Sequence, residues 1–226
     1  ENTKIVLTGY GRVGKGAAEV MTRAGIKEVS AEEFLSQSFD GPVYTQLKTE
    51  QYNERISDGG FDKNEFYKNP SGYQSTFMKY AEVANMYIAC HFWAECSPFI
   101  FTREDSNHEA WNISVVADIS CDIDGPVAST IRPSTIADPI YAIDPRSYEE
   151  VPLETKGAIA VMAVDNLPCE LPKDASEDFG NELIKHVLPA LFGPDPDEII
   201  FRASETNLKG ELTPHFAYLQ EYADQG

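Results

Sequence analysis

The sequence predicts an α/β protein built on a parallel β-sheet with helices on both faces. Two observations predict this class: a glycine pattern between an apolar run and a helical stretch near residue 10, and four short apolar runs along the chain. The runs cover residues 5–7, 86–93, 113–119 and 158–164. Each is nearly continuous rather than alternating, as in strands that are covered on both sides. A buried helix can mimic one such run, but four of them favour a sheet.

The glycine pattern is the first element with chemical meaning. Residues 9–14 read Gly-Tyr-Gly-Arg-Val-Gly, directly after the first apolar run. At this spacing the first glycine permits a tight turn, the second lets the backbone approach a diphosphate, and the third lets helix pack against strand. The helix N-terminus offers free N–H groups and partial positive charge to phosphates. The pattern predicts a doubly wound Rossmann sheet that binds a nucleotide; a purely structural glycine turn is the alternative.

The next elements follow the same scheme. We predict a crossover helix over residues 13–23 that stops at Gly25, a suitable C-terminal residue for a helix. The second strand is expected at residues 27–30 or, less conventionally, at 42–47. Residues 57–78 are rich in aromatic residues, Gly and Asn, which predicts a loop with a short inserted helix. Its aromatic residues are expected to serve packing.

The last part of the chain has a helical pattern. A helix is predicted to start near Pro172, because apolar residues then recur at every fourth position. They are Ala175, Phe179, Leu183, Val187 and Leu191. Pro189 should bend or end this helix, and further helical pieces are expected at 196–205 and 214–224. We therefore divide the chain into a dinucleotide-binding domain at 1–168 and a helical tail at 169–226.

Composition narrows the choice of partners. Acidic residues number 37 against 18 basic ones, a formal net charge of -19, which repels nucleic acid. No apolar run approaches the roughly 18 residues of a membrane span, and the first residues do not resemble a signal peptide. We expect a cytoplasmic chain without nucleic-acid or membrane partners. The four cysteines and four histidines lie far apart, so no metal site and no redox pair is predicted.

Four segments carry a resemblance to a known family. They cover residues 7–17, 101–105, 118–122 and 164–176, and the most specific are Asp-Ile-Ser-Cys-Asp at 118–122 and Val-Asp-Asn-Leu-Pro at 164–168. Together they resemble the lysine-forming saccharopine dehydrogenases, and more closely the lysine–2-oxoglutarate reductase part of the bifunctional aminoadipic semialdehyde synthases. The wider group is similar to alanine dehydrogenase and the transhydrogenase nucleotide domain.

The resemblance also implies what this chain lacks. Members of that family begin with a separate domain that carries the Lys and His of proton transfer. The chain begins only a few residues before its first predicted strand. We therefore expect the carboxy-terminal portion of a longer enzyme, whose helical tail belongs to an absent first domain. No catalytic residue is assigned here, and the isolated chain is expected to bind dinucleotide weakly and to turn over no substrate.

The resemblance assigns residues to the cofactor and to the substrate. The cofactor-binding positions it implies in the chain are Gly9, Gly11, Arg12, Val13, Gly14, Cys90, Ile119, Val164, Asp165, Asn166 and Leu167. Those implied for the amino-acid substrate are Ser120, Cys121 and Asp122. Ligands of open parallel sheets bind outside the carboxyl ends of the strands, where these positions should lie. Three alternatives stay open: a solvated surface role for Arg12, a packing role for Cys90 and a capping role for Asp122.

Cofactor choice depends on the end of the second strand. NAD-preferring members of such folds place an acidic side chain there to hold the ribose hydroxyls, and the expected position is Ser30. Serine tolerates a 2′-phosphate better than a carboxylate does. Glu32 and Glu33 closely follow Ser30 and would repel a 2′-phosphate, and no arginine is near in sequence. NAD is the prediction, with NADP left open.

These features define one hypothesis for function and two alternatives. The resemblance implies hydride transfer between a nicotinamide cofactor and a saccharopine-type secondary amine or imine formed from lysine and 2-oxoglutarate. The alternatives are a relative of alanine or opine dehydrogenases, and a dinucleotide-responsive module without chemistry of its own. An uncovered apolar stripe on the tail would drive self-association, so a homodimer is expected.

Overall fold

A computed structural model describes residues 2–224 and has the predicted α/β architecture, with a mostly parallel central sheet and helices. The chain divides into two compact units, one ending at Leu167 and the other beginning at Pro168. Within the described residues the strands are β1 (Lys4–Thr8), β2 (Lys27–Glu28), β3 (Val43–Leu47), β4 (Asn53–Arg55), β5 (Tyr73–Ser75), β6 (Met86–Ala89), β7 (Val115–Asp118), β8 (Ile140–Ile143), β9 (Glu150–Val151) and β10 (Ile159–Met162).

Eight strands form the main sheet of the first unit, in the order β2-β3-β1-β6-β7-β10-β8-β9. Neighbours from β2 to β10 run parallel, whereas β8 and β9 pair antiparallel at one edge. In register, Thr8 on β1 pairs with Ala89 on β6, which pairs in turn with Asp118 on β7. The carboxyl ends of these three strands therefore lie side by side.

All four apolar runs contain strands, which confirms the fold prediction. The strands are shorter than three of the runs, because β6 ends at Ala89, β7 covers only Val115–Asp118 and β10 ends at Met162. Residues 90–93 were expected within a strand but lie beyond it. All four of these residues line a cavity instead of belonging to the sheet.

In the doubly wound pattern the second strand along the chain lies next to β1. Here β3 lies between β1 and β2. Both candidate segments form strands, but β3 pairs with β1, and the two-residue β2 pairs with β3 at the sheet edge. The fully buried residues of β3 explain this order, since the strand next to β1 is covered on both faces, whereas both residues of β2 are exposed. Both alternatives for the second strand are therefore strands, and the less conventional one, at 42–47, lies beside β1.

Helices connect the strands of the first unit. They are α1 (Arg12–Arg23), α2 (Ala31–Ser36), α3 (Thr49–Tyr52), α4 (Lys63–Lys68), α5 (Met78–Ala81) and α6 (Arg103–Ser106), with short 3₁₀ turns at Pro70–Gly72 and Leu167–Glu170, where the first unit ends. The first crossover helix ends at Arg23, as predicted. Gly25 follows with φ of +74°, the left-handed conformation that glycine adopts without strain, and its N–H donates to the Thr22 carbonyl.

The aromatic-rich segment forms a small hairpin with an inserted helix. Strands β4 and β5 pair antiparallel and enclose α4. Phe61, Phe66 and Tyr73 pack edge to face or tilted, with ring centroids 5.1–5.4 Å apart. The predicted packing role is confirmed for these rings. Tyr67 is exposed instead and faces a cavity.

The second unit is helical, as expected for residues after 168. It contains α7 (Pro172–Glu182), a π-helical turn at Leu183–Val187, α8 (Leu188–Phe192), α9 (Ile199–Ala203), a 3₁₀ helix at Pro214–Leu219 and α10 (Gln220–Ala223). Helical structure does not end at Pro189, which instead occupies the first turn of α8, where its missing N–H costs little. Of the predicted stripe, Phe179 and Leu191 are exposed, 65% and 53%.

Candidate functional site

A cavity of the first unit opens at the carboxyl ends of the central strands. Its volume is about 620 Å³. It lies where the sheet order reverses, because the chain leaves β1 towards β3 on one side and returns to β6 on the other. Such a switch point is where ligands bind in open α/β sheets. The lining comes from the glycine turn, α3, α4 and the loops after β6 and β7.

The three glycines of the turn meet different surroundings. A Cβ at Gly9, where φ is +96°, would lie 2.5 Å from the Cys90 carbonyl oxygen, and a Cβ at Gly14 would overlap the Gly9 carbonyl oxygen. Both positions are therefore restricted to glycine by the protein's own packing. A Cβ at Gly11 would meet nothing within 4 Å. Packing does not require glycine at position 11, and in glycine turns of this spacing the second glycine is the one that lets the backbone approach a ligand.

Helix α1 starts directly beside this open position. Gly11 is its N-cap and supplies no side-chain oxygen, so the first amide groups of the helix face outwards without a capping partner. Arg12 and Val13 are exposed and line the cavity, with Tyr10 beside them. The turn thus offers main-chain N–H groups and one guanidinium to an anion.

A buried polar chain lies behind the cavity wall, at the ends of β1 and β6. The Thr8 hydroxyl lies 2.8 Å from the Tyr87 hydroxyl and 2.9 Å from Nδ1 of His91. His91 is buried and lines the cavity, and its Nε2 has no hydrogen-bond partner among the described residues. Burial lowers the pKa of His91 to about 4, although the charge of Asp118 opposes this shift. The imidazole is therefore neutral at physiological pH.

The thiol of Cys90 is next to this chain. Burial, with a contribution from Asp118, raises the pKa of Cys90 to about 12. The thiol is thus protonated and a poor nucleophile at neutral pH. Cys90 lines the cavity as a small packing residue without a reactive thiolate.

The loop after β7 is organised by one buried carboxylate. Asp118 accepts hydrogen bonds from the Ser120 hydroxyl at 2.6 Å, the Cys121 N–H at 3.1 Å and the Thr130 hydroxyl at 2.7 Å. These bonds hold Cys121 at φ of +53°. Cys121 donates its thiol to the Ala163 carbonyl at 3.1 Å, away from the cavity lining. Ser120 and Asp122 line the cavity, and burial together with Asp118 raises the pKa of Asp122.

The structure brings together part of the predicted site. Those predicted residues that line the cavity are Gly9, Gly11, Arg12, Val13, Cys90, Ser120 and Asp122. Gly14 is buried beneath the turn. Ile119, Cys121 and the stretch Val164, Asp165, Asn166 and Leu167 lie outside the lining. Asp165 and Asn166 are exposed, whereas Val164 is buried.

Ser30 lies in a second cavity of about 500 Å³. It is the N-cap of α2, and its hydroxyl and N–H bond to the Glu33 carboxylate, while its oxygen accepts from the Glu33 N–H. The side chain that follows the strand next to β1 is Lys48, which lines the same cavity. Tyr10 lines both cavities and donates its hydroxyl to the Gln46 carbonyl at 3.1 Å.

Sequence reasoning missed several lining residues. They include Tyr10, Tyr52, Asn53, Tyr67, His91 and Trp93. The signal for His91 was present, since it is a polar residue within an apolar run near a strand end. The residues of the inserted hairpin carried no such signal, because their approach to the cavity depends on how that hairpin folds.

The fold and this site together define a Rossmann-like α/β protein with a nucleotide-type cavity at the switch point of its sheet. The predicted resemblance is confirmed by its relatives. Over 96% of its length the chain is 27% identical to the mitochondrial alpha-aminoadipic semialdehyde synthases of Rattus norvegicus and Mus musculus. It is also 25% identical, over 82% of its length, to saccharopine dehydrogenase [NAD(+), L-lysine-forming] of Yarrowia lipolytica, of which it covers 40%.

The similarity covers only part of each relative's length. The chain spans about a quarter of the length of the two synthases, 26% in each case. No family model matches the chain. The name of the Yarrowia lipolytica relative describes a dehydrogenase that acts on saccharopine and forms L-lysine. Within residues 2–224, no helix has the length and apolar character needed to cross a membrane.

Proposed function

We propose that this chain is the dinucleotide-binding portion of an amino-acid oxidoreductase, which transfers a hydride between a nicotinamide cofactor and a saccharopine-type secondary amine or imine. The observation that carries the proposal is the open space at Gly11 beside the α1 N-terminus, at the mouth of the switch-point cavity. The names of the relatives support the substrate class. The nicotinamide would supply the hydride chemistry.

The residues around the cavity fit such a cofactor. The amide groups at the start of α1 and the Arg12 guanidinium would hold the diphosphate. The cavity walls next to Cys90, Phe92 and Trp93 are mostly apolar, and would exclude water from a planar ring. The main contribution of this chain is therefore to orient the cofactor.

NAD is the cofactor that we propose. Lys48 adds a cation beside Ser30 that sequence proximity did not reveal, but the same cavity is lined by Glu28, Glu33 and Glu50. Three carboxylates against one ammonium leave this cavity with a negative charge. A 2′-phosphate is disfavoured there, so NADP should bind more weakly.

Ser120 and Asp122 are the residues that we propose for the substrate. They follow β7 and line the cavity, on the opposite side of β6 from the glycine turn. Asp122 can accept hydrogen bonds from the amino groups of an amino acid, and Ser120 is held by Asp118. We further propose that residues outside this chain carry the proton transfers, as the family resemblance implies.

Fluorescence titration with NADH and NADPH tests this proposal. The 226-residue chain should give a saturable change with NADH and a weaker one with NADPH. Silence from both ligands would overturn the dinucleotide assignment. In the NADH-loaded chain, saccharopine and not alanine should shift the amide resonances of Ser120 and Asp122. The isolated chain should not oxidise saccharopine. Measurable turnover would contradict the proposal that residues outside this chain carry the proton transfers.

The location of the protein is a separate question. The cytoplasmic location expected from composition stays a prediction, and the rat and mouse relatives are named as mitochondrial. Microscopy of a fluorescently labelled full-length gene product decides between the two compartments.

A further inference from the structure

His91 carries a polar atom that the protein itself does not satisfy. Its Nε2 is buried and has no hydrogen-bond partner among the described residues, although the residue lines the cavity. A buried polar nitrogen without a partner costs free energy, so such atoms are uncommon in folded proteins, and a bound ligand is one group that can satisfy them.

The hydrogen bonds behind His91 determine which of its nitrogens carries the proton. The Tyr87 hydroxyl is fully buried and has two neighbours that can accept its proton, the Thr8 hydroxyl at 2.8 Å and His91 Nδ1 at 3.5 Å. The Thr8 hydroxyl can likewise donate to Tyr87 or to Nδ1. If Nδ1 carried the proton, one of the two hydroxyls would be left without an acceptor. Both are satisfied only when Nδ1 accepts, and a neutral ring then carries its proton on Nε2.

The position of His91 relative to the glycine turn limits what this donor can reach. A Cβ at Gly9 would lie 2.9 Å from the His91 Cα, so the two backbones are in direct contact. The donor is therefore next to the turn whose open amide groups suit a diphosphate. Arg12, at the start of α1, lines the same cavity.

We infer that His91 Nε2–H is a cofactor-positioning donor, which hydrogen-bonds an oxygen of the diphosphate–ribose segment of the bound dinucleotide. This inference rests on the proposed function. Phe92 and Trp93, which follow His91, also line the cavity. Nε2 is buried, so contact with a ligand would require the segment after β6 to move on binding. The protein thus supplies, from the end of β6, a neutral donor that complements the main-chain amides at the end of β1.

Two probes and two variants test the inference. NADH and ADP-ribose share the diphosphate and both riboses, but ADP-ribose lacks the nicotinamide. His91→Phe should weaken binding of both probes by about tenfold or more, as expected when a donor to a charged acceptor is lost. His91→Gln places an N–H near the position of Nε2 and should restore affinity to within about threefold. Circular dichroism and thermal melting of each variant show that the chain is folded.

A spectroscopic measurement tests the donor directly. In a two-bond ¹H–¹⁵N spectrum of the histidine rings, His91 should show the Nε2-protonated form, and both probes should shift its Nε2 signal. An Nδ1-protonated ring, or a signal that neither probe moves, would overturn the inference.

The outcomes separate the inference from the proposed function. If the wild-type chain binds NADH and His91→Phe binds it equally well, the role of His91 is refuted and the dinucleotide assignment stands. If His91→Phe weakens NADH but not ADP-ribose, the contact is to the carboxamide and the inference is wrong as stated. If the wild-type chain binds neither probe, both proposals fail.

Discussion

At the scale of single residues, the site depends on what surrounds each member of a motif. Gly9, Gly11 and Gly14 are equivalent as letters in a spacing, but packing requires only the first and the third to be glycine. Asp118 is the strongest example of a residue that organises the loop without lining the cavity, since it accepts three hydrogen bonds from the loop and its surroundings. Alanine substitutions at different glycines of the turn are therefore expected to have different effects on stability and on ligand binding.

The glycines provide the first prediction. Gly14→Ala should lower the free energy of unfolding by about 1–3 kcal/mol or prevent folding, because its Cβ overlaps the Gly9 carbonyl oxygen. Gly11→Ala should change stability by less than about 1 kcal/mol but weaken NADH binding by about tenfold or more, since the new methyl occupies the open approach. Chemical denaturation and fluorescence titration measure the two effects.

Gly16→Ala is the matched control for these variants. Gly16 lies in the same helix, and its Cβ would also meet nothing within 4 Å. It should stabilise α1 by about 0.5–1 kcal/mol and leave NADH affinity unchanged. Equal affinity of Gly11→Ala and Gly16→Ala would show that ligand approach is not the reason for Gly11.

The buried His91 makes stability depend on pH. Its pKa is lowered from 6.5 to about 4 in the folded chain, chiefly by burial, so the unfolded chain binds the extra proton first as the pH falls. The contribution of His91 to the free energy of unfolding is complete above pH 6.5 and is lost as the pH drops towards 4. The loss amounts to about 3 kcal/mol at most. In His91→Gln, the thermal melting midpoint should depend less on pH between pH 4 and 6.5. His108→Gln, at an exposed position, should melt with the wild-type pH profile, and identical profiles for all three proteins would contradict the assignment.

At the scale of elements, the hairpin of β4 and β5, with its inserted helix, forms one wall of the cavity. It brings α4, with Phe66 and Tyr67, to the switch point. Arg55 links its parts, since the guanidinium contacts the Asp58 carboxylate at 2.8 Å and the Glu65 carboxylate at 2.6 Å. These charge-assisted bonds raise the pKa of Arg55, so it stays charged at every pH of interest.

Removal of this link tests the hairpin as a unit. Arg55→Met should increase amide hydrogen exchange over residues 56–72 and weaken NADH binding, because α4 would no longer be held against the cavity. The control is Arg23→Met, which removes a comparable but exposed i,i+4 pair with Glu19 on α1. Faster exchange confined to the control, or none in Arg55→Met, would show that the aromatic packing alone holds the hairpin.

At the scale of the whole molecule, two compact units differ in how they bury apolar residues. The first unit has two clusters of buried apolar residues, the larger of which includes Phe34, Phe77 and Tyr87. The helical unit exposes Phe179, Leu191 and Phe192, the last at 82%. The net charge of -19 is unfavourable for close association of copies, so apolar contact would have to overcome it.

Self-association is the prediction at this scale. We expect a homodimer at micromolar concentration, formed through the exposed apolar residues of α7 and α8. Light scattering should give the mass of two 25.1 kDa chains, and Phe192→Ser combined with Phe179→Ser should return it to one. The control is Tyr222→Ser, which removes an exposed aromatic residue outside α7 and α8. A monomeric wild-type mass would refute the expectation.

The sequence alone determined the class of the fold and the location of the glycine turn. Both are local properties: four continuous apolar runs and a glycine spacing specify strands and a turn within a few neighbouring residues. The roles of Gly9 and Gly14 were readable for the same reason. The lining role of His91 was only partly readable, since its run of apolar neighbours suggested a longer strand than β6.

Only the tertiary structure decided which strand borders β1, and therefore that Lys48 and not Ser30 follows it. It also separated Ser120 and Asp122, which line the cavity, from Cys121, whose thiol bonds to Ala163. The physical reason is that strand order and side-chain direction at a loop depend on contacts between residues far apart in the chain. Local propensity carries no information on such contacts.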